Sequence, residues 1–120
     1  MINISCCEGR LTRDPEIRQT KTGKPFASFC VAVPRPYKQN GEYLADYIDC
    51  EAWGKNATLI ERVKKGNMVS IEGSLQTSTF KDAEGKSRKK LVLTVNRVHF
   101  LPQYQGQEYV PDIEEVEEEE

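Results

Sequence analysis

Residues 46–54 read DYIDCEAWG, with Ile48, Cys50 and Ala52 on one side of a two-residue repeat. Tyr47, Asp49, Glu51 and Trp53 fall on the other side. A period of two is the mark of a half-buried strand. The same alternation runs through FASFCVAVP, where Ala27, Phe29, Val31 and Val33 share a face. It returns in MVSIEGSLQTSTF, where Val69, Ile71, Gly73 and Leu75 oppose Ser70, Glu72, Ser74, Gln76, Ser78 and Phe80. Residues 2–13 predict a first strand with a bulge or bend at Gly9, and RKKLVLTVNRVHFL predicts a last one. Turn signals at Asp14-Pro15, KTGKP and KDAEGKS separate these runs. Pro34 and Pro36 are expected to end the second strand, which leaves Tyr37 in a loop whose tip is Asn40-Gly41.

One segment changes period. In KNATLIERVKKG, Ala57, Ile60 and Val63 share a helical face, and Asn56 is the expected N-cap. Lys64 and Lys65 suit the negative end of the helix dipole, and Gly66 suits a left-handed stop. Five strands with one helix between the third and fourth predict an all-β fold, a small, strongly curved barrel. Gly9 and Gly73 would supply the bends that closure needs. After Pro102 the composition turns to Gln, Gly, Tyr and then Glu, too poor in apolar residues to pack. The expected organisation is one domain over 1–104 and a disordered acidic tail over 105–120.

With 120 residues the chain suits a single core, and 38% hydrophobic with 30% charged residues suits a soluble protein. No run is apolar enough to span a membrane, and MINISCCEGRLTRDPE does not read as a signal peptide. A cytoplasmic location is the expectation. The four cysteines, at 6, 7, 30 and 50, have no metal-ligand spacing and are read as small hydrophobes in a reducing compartment. Cys6 and Cys7 would point to opposite faces. The net charge of −2 conceals a division. Residues 108–120 hold eight acids and no base, so residues 1–107, with 17 basic and 11 acidic side chains, carry +6. A basic body favours an anionic partner.

Tyr37, Tyr47, Trp53 and Phe80 all fall on polar faces or in a loop, where a core has no use for them. Cations neighbour them: Arg35 and Lys38 beside Tyr37, Lys55 beside Trp53, Lys81 beside Phe80. Lys86, Arg88, Lys89 and Lys90 face Phe80 across the last hairpin. Rings can stack on unpaired bases while cations follow the phosphates, and duplex DNA would offer those rings no free base face. A second reading stays open, in which the rings are buried between subunits of an assembly or adaptor module. An enzyme is not indicated. No nucleophile elbow, phosphate-cradling loop or metal-spaced cluster is present, and His99 lies in an apolar strand as a structural residue. Asp46 faces away from Asp49 and Glu51, which argues against a shared ion. No cofactor is implied.

The segments GRLTRDPEIR, FASFCVAVPRPYK, DYIDCEAWGKNA, VKKGNMVSIEGSLQTSTF and VNRVHFL together resemble the bacterial and phage single-stranded DNA-binding protein family. The resemblance covers roughly residues 1–101. It implies an OB-fold barrel, assembled as a homotetramer, that binds single-stranded DNA without sequence preference during replication, recombination or repair. It assigns base stacking to Tyr37, Tyr47, Trp53 and Phe80, and groove contacts to Arg35, Lys55, Lys81 and Arg88. Two departures stand out. Asp49 and Glu51 lie between Tyr47 and Trp53, where like charge opposes phosphate. The end PDIEEVEEEE lacks the Pro-Phe tip through which the family docks enzymes, so recruitment through the tail is not expected. That tail is open to two readings, a competitor with DNA for the basic face or a solvated tail.

Overall fold

The computed structural model describes residues 1–101. Six strands and one helix follow in order: β1 Ser5–Leu11, β2 Glu16–Gln19, β3 Pro25–Gln39, β4 Glu42–Trp53, α1 Lys55–Ile60, β5 Met68–Lys81 and β6 Ser87–Phe100. Five of the strands form a ring, β1-β5-β6-β4-β3. It closes where Arg10 pairs with Ala32 and Leu11 with Val31. All of its pairings are antiparallel except β4 with β6, which run parallel at Cys50↔Leu93. The result is the expected OB-fold barrel, with α1 between its third and fourth strands. The sixth strand, β2, is a four-residue ribbon on the outside of β3. Four residues between two turn signals are too short for a period of two to register, so the sequence gives no sign of it.

The inward positions are largely those the alternation selects, except that Leu75, in phase with Val69 and Ile71, is exposed and Cys30, out of phase with Phe29 and Val31, is buried. Ala27, Phe29, Val31, Cys50, Ala52, Val69, Ile71 and Leu93 are sealed from solvent. Burying each large side chain among them stabilises the fold by about 1.5–3 kcal/mol. Ala57 and Ile60 of α1, with Val63 beyond its end, pack onto this core. The helix cap differs from expectation. Gly54 stands at the N-cap with a left-handed φ of 60°. The turn out of β4 demands that conformation, which glycine adopts without strain. Asn56 is instead inside the helix, and its amide donates to the carbonyls of Val95 and Asn96 at 3.3 and 3.2 Å. The helix ends at Ile60, so Lys64 and Lys65 lie beyond its last turn.

The two interior glycines mark close approaches. Gly9 pairs in regular register with Val69, with no bulge. A Cβ there would run into the carbonyl of Ala32, at the seam where β1 meets β3. Gly73 lies opposite Val95 beside an irregularity, since Glu72 pairs with Arg97. The extra residue is Asn96 of β6. Because the bulge is in β6, β5 keeps its phase and Phe80 stays on the polar face. Asn56 satisfies the carbonyls at that bulge.

Pro34 and Pro36 do not end β3. The strand runs on to Gln39, with Arg35, Pro36 and Tyr37 standing opposite the single residue Leu44. Beyond Ala32 the strand has β4 on one side only, so a missing N–H faces an open edge. Tyr37 is therefore on an irregular strand, and the turn is the two residues Asn40-Gly41, with φ of 53° and 80°. The expected acidic tail and the boundary at 104 lie outside the described residues.

Candidate nucleic-acid interface

Pairing across the sheet collects the outward side chains onto one face. Trp53 stands opposite Phe26, Glu51 opposite Ser28, Asp49 opposite Cys30 and Tyr47 opposite Ala32. Glu51 also neighbours Thr94 of β6, which is opposite Ser74 of β5. Phe80, six residues along β5, shares that face. A groove crosses it, lined by Phe26, Phe80, Asp49 and Glu51 among others, with Arg13, Arg18 and Lys90 contributing charge. Relative exposures are 68% for Tyr47, 41% for Trp53, 43% for Phe80 and 54% for Tyr37. In the single chain, all four rings selected from the sequence are uncovered. Tyr37 stands apart from the groove on the β3–β4 arm, beside Arg35.

The cations over the Trp53 and Phe80 rings are not their neighbours in sequence, whereas Tyr37 has Arg35 beside it. Lys24 Nζ is 5.9 Å from the Trp53 ring centre, and Lys90 Nζ is 5.7 Å from that of Phe80. Lys38 Nζ lies 5.0 Å from Tyr43, a ring the sequence reading did not select. Adjacent residues on a strand point to opposite faces, whereas opposite and diagonal residues on paired strands meet. Lys38 is directly opposite Tyr43, and Lys90 is opposite Ser78, two places from Phe80. Phe26 was also missed. Its phase with Ser28 marks it as outward, and its ring centre is 4.4 Å from that of Trp53.

The four expected cations have different surroundings. Arg35 grips Asp46 through Nε and a terminal nitrogen at 3.1 and 2.8 Å. This pairing raises the arginine and holds the Asp46 carboxyl below its ordinary range. Both partners are more than a third exposed, so the pair adds little to stability. Arg88 Nε donates to Asp82 at 2.9 Å. Asp82 also accepts from the backbone N–H groups of Glu84 and Lys86, each at 2.9 Å, and its carboxyl is held low chiefly by Arg88. That knot fixes the β5–β6 turn beside Phe80. Lys81 is exposed at the end of β5, and Lys55 is exposed on the first residue of α1.

Among the described residues no group of three or more metal-ligating side chains converges. All four cysteines are free thiols. Cys6 is exposed and Cys7 partly buried, as opposite faces require. A hydrogen bond between Cys7 and Cys50 lowers the former and, with burial, raises the latter. His99 is exposed on β6 and meets Glu72 at 3.1 Å.

The arrangement as a whole is an uncovered aromatic row beside a charged groove on a closed barrel. Residues 2–101 match the model of the Single-strand binding protein family. The single-stranded DNA-binding protein of Oceanobacillus iheyensis is 40% identical over 103 residues, 84% of this chain and 64% of that protein. Single-stranded DNA-binding protein A of Bacillus subtilis is 35% identical over 108 residues, 88% of this chain and 63% of that protein. The chain thus spans less than two thirds of the length of these relatives. By fold and by sequence, the chain belongs to the single-strand binding protein family.

Proposed function

We propose that this chain is a non-enzymatic protein that binds single-stranded DNA without a fixed sequence, coating exposed strands during replication, recombination or repair. The observation that carries the reading is the uncovered set Tyr47, Trp53 and Phe80 on one face of the sheet, with Lys24 beside Trp53 and Lys90 beside Phe80. Bases stack on such rings at about 1–3 kcal/mol each, and cations neutralise phosphates in a salt-dependent way. Tyr37 extends the platform along the β3–β4 arm. Arg35, Lys55, Lys81 and Arg88, joined by Arg18, Lys24 and Lys90, supply the phosphate contacts. Arg35 and Arg88 would have to share themselves with Asp46 and Asp82.

A homo-oligomer, a tetramer by family resemblance, fits the same reading. Leu75 and Leu91 are exposed on the face of the β5–β6 hairpin opposite Phe80, where a second copy would cover them without closing the groove. No helix among the described residues is long and apolar enough to cross a membrane. A cytoplasmic, nucleoid-associated location goes with the reading, and no cofactor does.

Fluorescence anisotropy of labelled oligothymidylate and of a matched duplex tests it. The expected result is tight binding of the single strand, weaker binding of the duplex, and a logarithm of affinity that falls linearly with log salt. Equal binding of both, or none, would leave the assembly-module reading, with the rings covered between subunits.

A further inference from the structure

The β3–β4 arm carries a second ring besides Tyr37. Tyr43 is 70% exposed, slightly more than Tyr47. It precedes Tyr47 by four residues on β4, and the irregularity in this ladder adds residues to β3 alone. β4 therefore keeps its phase, and Tyr43, Ala45 and Tyr47 lie on one face. Their register partners Lys38, Pro34 and Ala32 belong to that face as well. The acids of the arm, Glu42 and Asp46, alternate to the other side of β4. The groove's acids, Glu16, Asp49 and Glu51, lie beyond Tyr47 toward Trp53. Near Ala45, Glu8 and Arg10 of β1 offset each other.

Lys38 Nζ is 5.0 Å from the Tyr43 ring centre. Among the described residues no carboxylate pairs with it, whereas Arg35 is gripped by Asp46. The turn Asn40-Gly41, with φ of 53° and 80°, ties the two strands at the tip. Register and turn thus hold ring and ammonium in place before any ligand arrives. We propose that Tyr43 and Lys38 form a further nucleotide position, where a base stacks on the open phenol and Lys38 meets the adjoining phosphate. This rests on the proposed single-stranded DNA binding. Tyr43 is about 13 Å from Tyr47 along β4, too far for one base to touch both. The bound DNA therefore runs on from the barrel, over Ala45 and Pro34, toward the arm tip. A pair that only stiffened the hairpin would need neither an open ring nor a cation free of carboxylates. Stacking of this kind accepts any base, so sequence-independent coating is kept.

The test uses the full chain and a long oligothymidylate, with anisotropy measured over a range of salt. Tyr43→Leu is expected to weaken binding about fivefold, the lower end of one stacked base, and Tyr43→Phe by less than about twofold. Lys38→Gln should lower the slope of log affinity against log salt by about one. Thermal midpoint and light-scattering mass should stay unchanged in all three variants. Unaltered affinity in Tyr43→Leu, or an equal loss in Tyr43→Phe, would overturn the inference, as would an unaltered salt slope in Lys38→Gln. A changed mass in Tyr43→Leu would place the ring at a subunit contact and overturn it too. Photo-cross-linking of a 5-iododeoxyuridine strand to the unaltered chain needs no variant. An adduct located at Tyr43 by mass spectrometry is expected, and adducts at Tyr47 or Trp53 without one at Tyr43 would contradict the proposal while leaving DNA binding standing. Absence of any binding by the unaltered chain would instead defeat the proposed function itself.

Discussion

The ring of Phe26 on β3 meets that of Trp53 on β4 with centroids 4.4 Å apart and planes inclined at 52°. The two residues are direct register partners, so the contact is imposed by the β3–β4 ladder. Phe26 occupies part of the indole surface and restricts its rotation, while Trp53 retains 41% exposure. A stacking platform needs that combination of a fixed plane and a free face. Phe26→Ala is expected to weaken oligothymidylate binding by about 0.5–1.5 kcal/mol, the worth of an aromatic pair. The single tryptophan's emission should shift red in the free protein. Unaltered affinity would mean that the indole holds its plane without Phe26.

Trp53→Ala and Phe80→Ala should each weaken single-strand binding by about 1–3 kcal/mol. Both rings are exposed, so little core packing is lost and the thermal midpoint should scarcely move. Titration beside thermal unfolding separates the two effects. Parallel losses of folding and binding would place the rings in the structural framework instead.

Asp82 ties together the turn that carries Phe80, through Arg88 and the N–H groups of Glu84 and Lys86. Its carboxyl is held below the ordinary aspartate value of about 3.9. The folded state therefore gains from the charged form at pH values above that range and loses the gain as pH falls through the lower native value. Protection of the Glu84 and Lys86 amides, taken relative to the intrinsic exchange rate at each pH, should hold above the ordinary aspartate range and fall as pH drops below it. In Asp82→Ala the same amides should lack that protection at every pH. If the variant protects them as well as the original, the turn is held by other bonds.

Gly73→Ala should be costly. The added methyl would collide with the backbone carbonyl of Thr94 and with the Leu93 side chain, neither of which can retreat from the closed barrel. A loss of at least about 1–3 kcal/mol is expected, read by urea denaturation. The same change at Gly85, in the open turn with nothing nearby, meets backbone strain alone and should cost less. Similar midpoints for the two variants would argue against a close approach at Gly73.

The barrel was legible because its strands are half-buried. Val69, Ile71 and Gly73 alternate with Ser70, Glu72 and Ser74, and the sheet preserves that phase. The same logic exposed Tyr47, Trp53 and Phe80. Phe26 and Tyr43 were not selected, although the same phase extended to them marks them as outward; their role shows only once register sets Phe26 against Trp53 and Tyr43 against Lys38. Cation partners were the least legible part. Lys55 and Lys81 are close in the chain, yet Lys24 and Lys90 are close in space, because pairing between strands outweighs adjacency within one. Pro34 and Pro36 misled for a related reason. A proline stops a strand with neighbours on both sides, and only the topology reveals that β3 has lost one of its neighbours there.

The most direct test is the emission of Trp53, the chain's single tryptophan, during titration with oligothymidylate while anisotropy of the labelled strand reports binding. Strong quenching that saturates with binding and recovers as salt releases the strand is expected. Full binding by anisotropy with unchanged tryptophan emission would contradict base stacking on Trp53.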